Sequence, residues 1–151
     1  MANDSKQIDP INLRILEELQ EDGRLTVAEL GRRVGLSPPA VAERLQRLER
    51  DGVITGYHAE VDPRAIGLDL SVVIRIRPSP GQLESVAELA KRTPEVVEFR
   101  RITGEDCYIG VAHIRDVEHL EEVIDHFGAL GQTTTSIVQS SPVKRRGVQL
   151  G

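Results

Sequence analysis

The chain of 151 residues has no tryptophan, two phenylalanines, two tyrosines, one methionine and one cysteine. With so few aromatics, the core must be assembled from Leu, Ile, Val and Ala, and a large aromatic-lined cofactor pocket is excluded. The lone Cys107 rules out an internal disulfide and any CxxC metal or redox motif. Apolar runs such as Leu70 to Ile74, interrupted by Ser71, fall far short of the roughly 20 residues that cross a bilayer. The start, Met1 to Gln7, is polar and lacks the apolar stretch of a secretory signal, so a cytoplasmic protein without membrane contact is expected. No Walker loop, G-x-S-x-G, G-x-G-x-x-G or Cys–His pairing is present, so no catalytic constellation is offered. His113, His119 and His126 lack metal-ligand spacing, and neither a metal nor a cofactor is expected.

Hydrophobic residues make up 39% of the chain and charged residues 28%, the balance of a folded globular protein. The net charge of −5 is unevenly spread. Between Arg24 and Arg50 lie six arginines (24, 32, 33, 44, 47, 50) and three glutamates (29, 43, 49). A basic stripe on an acidic body is the electrostatic footprint of a nucleic-acid binder. Lys144-Arg145-Arg146 forms a further basic tail, expected to be solvated, with contact to DNA as the alternative reading.

The first half reads as three helices. Asp9-Pro10 supplies an N-cap and a first-turn proline ahead of an apolar stripe of Ile11, Ile15, Leu16 and Leu19, ending near Asp22 before Gly23. Thr26-Val-Ala-Glu29 is a capping box, with Leu25 and Leu30 as its hydrophobic staple, opening a short helix over 27–34 that Gly35 stops. Ser37-Pro38-Pro39 starts a third helix, with Ser37 as side-chain cap, running to about Arg50. Two helices joined by a three-residue turn containing Gly35 form a helix-turn-helix. Val53 to Val61 reads as a strand, a wing or tether, broken by Asp62-Pro63.

The second half changes period. Strands are expected over 70–77, 96–102, 107–114 and 133–140. Helices are expected after the capping box Ser79 to Gln82 and after Asp116. The order βαββαβ is a ferredoxin-like split βαβ. The fold class is therefore α+β: a winged helix-turn-helix domain over 1–61, a linker over 62–69, and the βαββαβ domain over 70–151.

On the third helix, Val41, Leu45 and Leu48 form the buried stripe, and Pro39, Glu43, Gln46, Arg47 and Arg50 lie opposite. Arginine pairs bidentately with guanine and also meets phosphates, while glutamate accepts from cytosine N4. Arg47 is the base-contact candidate by position. Arg44, nearer the core edge, is assigned to a phosphate, as are Arg24, Arg32 and Arg33; Ser37, Pro39 and Ala40 at the helix start complete the DNA-facing set.

The segment IDPINLRILEELQEDGRLTVAELGRRVGLSPPAVAERLQRLERDGVITGY closely resembles the DNA-binding domain of Lrp/AsnC (feast/famine) transcriptional regulators. Its D-G-R, V-G-L-S and R-L-x-R-L-E-x-x-G-V-I-x-G-Y elements are rather specific, and the resemblance covers nearly the whole chain. It implies that the second half is the regulator-of-amino-acid-metabolism (RAM) domain, which dimerises and assembles into tetramers, octamers or larger rings. The partners so implied are double-stranded DNA, further copies of the chain, and an amino-acid effector.

The family's ligand signature is a G-D-x-D-Y turn followed by a T-x-T strand. Here the turn reads Gly104-Glu105-Asp106-Cys107-Tyr108, and Thr133 and Thr135 stand in the last strand. Acidic side chains suit an ammonium group, exposed amides a carboxylate, and the two threonines share a strand face as hydroxyl partners. Neighbouring central strands are expected to bring these segments together at one sheet end. Cys107 replaces the second Asp of the pattern, so its contact passes to Asp106 or Glu105 or is lost. Two other readings stay open: an effector-independent architectural DNA-binding protein, and an enzyme or ligand-binding subunit on the ferredoxin-like fold.

Overall fold

A computed structural model of the chain describes residues 8–150; the polar start, 1–7, lies outside them. The described residues form two compact units, one running to Glu60 and taking up the chain again from Val143, the other spanning Val61–Pro142. The expected linker thus falls where the first unit ends. The last residues, assigned by sequence to the second domain, cluster with the first.

The first unit contains α1 (Pro10–Glu21), α2 (Val27–Val34) and α3 (Pro38–Arg50). Asp9 Oδ1 accepts the Asn12 N–H at 2.8 Å, and Pro10 fills the first helical position. Thr26 Oγ1 accepts the Glu29 N–H at 3.1 Å. Gly35 ends α2 in the left-handed region, φ 76°, where its missing side chain removes the steric cost. The Gly31 carbonyl accepts from both Gly35 (2.8 Å) and Leu36 (2.9 Å), drawing the turn onto α2. A Cβ at Gly31 would stand 2.6 Å from the Leu36 oxygen, so this close approach requires glycine. Ile15, Leu16, Leu30, Val34, Val41 and Leu48 form the core that all three helices share, and the staple residue Leu25 packs on it.

Two expectations fail in this unit. Ser37 occupies the N-cap of α3 with Pro38 and Pro39 in the first turn, but its side chain makes no capping bond. Val53 to Val61 forms no ladder. The Val53 and Ile54 amides both donate to the Leu48 carbonyl (2.9 and 3.0 Å), and the chain then reaches a 3₁₀ turn at Arg64–Ile66 without strand pairing. A strand exists only beside a partner edge, and among the described residues none lies along this segment.

Asp9 also joins two helices. Arg44 Nη1 donates to Asp9 Oδ2 at 2.6 Å and to Asn12 Oδ1 at 2.9 Å, tying α3 to the start of α1. The Asn12 amide and then Arg44 hold the Asp9 carboxyl below its ordinary value. A depressed carboxylate stabilises the fold above its unfolded pKa, and this contribution is lost as pH falls through the folded value. Acidification below about pH 4 should therefore fray the first turn of α1. Amide exchange at Asn12 checks this: protection relative to Ile15 should drop between about pH 6 and pH 3, and an unchanged ratio contradicts it.

The second unit runs β1 (Leu70–Pro78), α4 (Leu83–Arg92), β2 (Val96–Arg101), β3 (Tyr108–Ile114), α5 (Val117–Gly128), β4 (Gly131–Ile137). The strands make one antiparallel sheet in the order β2-β3-β1-β4, the ferredoxin-like topology expected. Asp116 caps α5 through the His119 amide at 2.8 Å, whereas the box at Ser79 does not form. There the Gln82 amide bonds the Ser79 carbonyl in a turn, and Gln82 stands at the N-cap without a side-chain bond.

Strand alternation sends Val72, Ile74, Ile76, Tyr108, Ala112 and Ile114 toward the helices, where Val86, Ala90, Leu120, Val123 and Phe127 close the core. Gly110 lets the Phe99 ring lie across β3, where a Cβ would meet the ring at 2.6 Å. Phe99 stacks on Tyr108 at 5.0 Å between centroids. The opposite face of the sheet, with Val73, Arg75, Arg77, Ile109, Val111 and His113, carries no helix.

Candidate DNA interface and effector site

The outward face of α3 is the surface the helical wheel singles out. Pro39, Glu43, Gln46, Arg47 and Arg50 are exposed and Ala40 is half-buried, while Val41 and Leu48 are buried. Ser37 is exposed at the N-cap. Arg47 pairs with Glu43 one turn back, both side chains more than 60% exposed. Such an exposed pair contributes only about 0.3–0.5 kcal/mol, so it holds the Arg47 guanidinium weakly. Arg50 is 70% exposed, with Asp51 at 3.4 Å.

The remaining arginines separate into two kinds. Arg32 is 77% exposed beside Glu29, and Arg24 is exposed, its backbone amide resting on Asp22 (2.9 Å). Both side chains stand at the surface. Arg33 instead bridges α2 to α1, with Glu18 at 2.7 Å and Glu29 at 3.0 Å. Arg44, assigned to a phosphate by sequence, is committed to Asp9 and Asn12, with its side chain 28% exposed. Its position at the core edge was legible, but its use as a helix clamp was not, because Asp9 lies 35 residues away. Tyr57, after α3, donates its hydroxyl to Glu49 at 2.9 Å. Burial and then this bond push the phenol up to about 12, so it stays a neutral donor.

In the second unit the Gly104–Asp106 turn joins β2 to β3 at the end of the sheet where β4 begins. Tyr108 pairs with Ile76 across β1, and Ile76 pairs with Thr133, placing turn and threonines at one end. They are not on neighbouring strands, contrary to expectation. β1 stands between β3 and β4, so the two segments are two strand spacings apart, roughly 10 Å.

β1 also supplies partners the sequence reading did not name. Arg77 donates Nη2 to Glu105 Oε2 at 2.6 Å and Nε to the Glu105 carbonyl at 3.1 Å. Arg75 Nη1 lies 3.9 Å from Asp106 Oδ2. The acidic turn is therefore balanced by two arginines that the period of two in β1 places on the open face, an alternation that could have singled them out. Thr133 and Thr135 instead share the helix-facing side, and Thr135 Oγ1 is buried with no hydrogen-bond partner among the described residues.

Tyr108 and Cys107 are not exposed at the turn. Tyr108 is buried, its hydroxyl donating to the Leu83 carbonyl at 3.2 Å, and Cys107 packs partly buried against the same core. The histidines occupy separate surroundings: His113 Nδ1 meets Ser71 Oγ at 3.0 Å, and His119 is buried against Glu95 at 2.8 Å.

Residues 8–55 match the winged helix-turn-helix DNA-binding family, and residues 71–148 match the Lrp/AsnC ligand binding domain. The chain is 33% identical to the HTH-type transcriptional regulator LrpC of Bacillus subtilis over 93% of its length and 98% of the relative's. The solved LrpC structure superposes with a TM-score of 0.87, covering 92% of this chain and 99% of that one. Identity to the leucine-responsive regulatory protein of Escherichia coli is 34%, over 79% of this chain and 74% of the relative. A transcriptional regulator of Neisseria meningitidis, solved as its complex with L-Met, superposes with a TM-score of 0.84 at 30% identity, covering 91% of this chain and 93% of that one.

Proposed function

Because the chain belongs to the Lrp/AsnC family, DNA-binding transcriptional regulators with a ligand-binding domain, we propose that its DNA affinity answers to a free amino acid bound at the β4 end of the sheet. The observation that carries this reading is the sheet end itself. A turn bearing Glu105 and Asp106 and two arginines balancing it lie there on the open face, and an unpartnered buried hydroxyl at Thr135 lies nearby on the helix-facing side of β4. An ammonium group competes with Arg75 for Asp106, and the released arginine meets the carboxylate of the same zwitterion. The leucine-responsive name of one relative and the L-Met complex of another support an α-amino acid as the class of effector.

The reading includes self-association through the open face of the sheet, which places two copies of α3 on half-sites about one helical turn apart. An effector at a contact between copies then shifts assembly and DNA affinity together, since a ligand moves an equilibrium by its difference in affinity for the two states.

A thermal-shift screen of the amino acids, followed by calorimetry on two variants, tests the effector. Asp106→Ala should abolish the stabilisation given by the best ligand while leaving ligand-free DNA binding near the parent's. Thr135→Val should weaken ligand binding more mildly and leave the ligand-free protein at least as stable, because it removes a buried hydroxyl that has no partner. Unchanged affinity in both variants places the ligand elsewhere. A parent that no amino acid stabilises favours the effector-independent, architectural reading.

A further inference from the structure

Outside both sites, Lys144, Arg145 and Arg146 are exposed as expected, yet the stretch Val143 to Leu150 that carries them makes specific contacts with the first unit. It clusters with the helix-turn-helix unit rather than with the sheet it follows. Gln20, on α1, donates Nε2 to the Val148 carbonyl at 3.0 Å and accepts the Val148 amide at Oε1, 2.7 Å away. One side-chain amide thus satisfies both backbone groups of Val148, as a neighbouring strand would. Two residues on, Leu150 packs against the unit's apolar core beside Leu19 and Ile54. Gly147 lies so close to Gln20 that a Cβ there would collide with its side chain. Arg146 shares a hollow with Glu17, Glu18 and Glu21 of α1.

We propose that residues 143–150 form a strap that completes the DNA-binding unit and raises its affinity for DNA. The unit is then discontinuous in sequence, beginning with the helix-turn-helix and finished by a segment that arrives after the whole ferredoxin-like domain. Two physical effects follow from docking. Lys144, Arg145 and Arg146 are held on a unit whose first helix presents Glu17, Glu18 and Glu21, and they offset a field that repels phosphate. Leu150 covers apolar surface of the core on which α3 sits, which stiffens the reader before it meets DNA.

The connection explains why a few contacts suffice. The Val138 amide is still bonded to the sheet, at the Ser71 carbonyl (2.8 Å), so only Gln139 to Pro142 separate the sheet from the strap. A segment tethered so briefly meets its groove at an effective concentration on the order of millimolar.

The proposal rests on the DNA-binding reading, and the test separates the two. In the full chain, Gln20→Ala removes both strap bonds at an exposed helical position where alanine favours the helix, so the unit still folds. A second variant ends the chain at Pro142. Hydrogen exchange at the Val148 amide is measured in the parent and in Gln20→Ala, with the Ile15 and Leu30 amides as internal standards. The parent amide should exchange at least about tenfold more slowly than the variant's, with the standards unchanged. Binding to a random-sequence duplex, read by fluorescence anisotropy, should weaken about three- to tenfold in both variants, with a shallower salt dependence.

A Val148 amide that exchanges at the free-peptide rate in the parent overturns the strap. Variants that bind the duplex as tightly as the parent overturn its effect on DNA. A parent that binds no duplex fails the DNA-binding reading and this effect together, whereas the exchange result reports on the strap by itself.

Discussion

Full-length chains carrying Val73→Lys or Val111→Lys should sediment as monomers and bind operator DNA on the order of a hundredfold more weakly than the parent. Val73 and Val111 face each other across β1 and β3 on the side of the sheet that carries no helix. Ile109 and Val111 are only half-buried there, in a unit whose other face is closed by α4 and α5. Covering such a face with a second copy buries it without further sequence. Around a two-fold axis each substitution brings two ammonium groups into one apolar contact, and the desolvation of an unpaired charge opposes the interface strongly. The DNA effect follows because two reading helices held by one dimer bind as a unit, and a monomer loses that gain. Sedimentation with parallel anisotropy measurements decides the matter. Variants that remain dimeric would place the interface elsewhere, and monomers that keep parental affinity would remove the need for paired half-sites.

Arg47→Ala should weaken operator binding by about 1–3 kcal/mol and relax preference at one base position. Arg47 is exposed at the centre of the outward face of α3, held only by Glu43 one turn away. Breaking that pair costs a few tenths of a kcal/mol, well below the yield of a bidentate guanine contact. Arg32→Ala, by contrast, removes a cation at the side of the reader and should weaken all duplexes alike, with a shallower salt slope. Affinities measured across a panel of operator variants separate the two, and unchanged discrimination in Arg47→Ala would remove its base contact. Arg44→Ala should behave as neither, because Arg44 is engaged by Asp9 and Asn12; its expected cost falls on the packing of α3 against α1.

Three elements illustrate where sequence reading succeeds and where it stops. Helix α2 begins after Thr26 and ends at Gly35 as its capping signals predict, because a side-chain oxygen three residues from an amide and a residue tolerant of positive φ are local requirements. Ser37 carries the same signal, stands at the N-cap of α3 and yet makes no side-chain bond there, so the signal places the helix start without guaranteeing the capping contact. The stretch Val53 to Val61 has strand composition and stays unpaired, because a strand is a property of two segments and its composition describes only one.

What the sequence determined by itself was therefore the local and periodic part: the five α-helices and four strands of the described residues, the α+β class, the three-residue turn at Gly35, and the exposed face of α3 on which Arg47 lies. These depend on spacings of two to four residues, within which hydrogen bonding and burial are set by near neighbours. Only the tertiary structure decided that β1 lies between β3 and β4, that Arg75 and Arg77 balance the acidic turn, that Arg44 clamps α1, and that Gln20 holds Val148 from 128 positions away. Each of these pairs groups far apart in the chain. Which distant groups meet is selected by burying one apolar sheet face and one three-helix core, and the polar contacts form where that packing leaves them side by side.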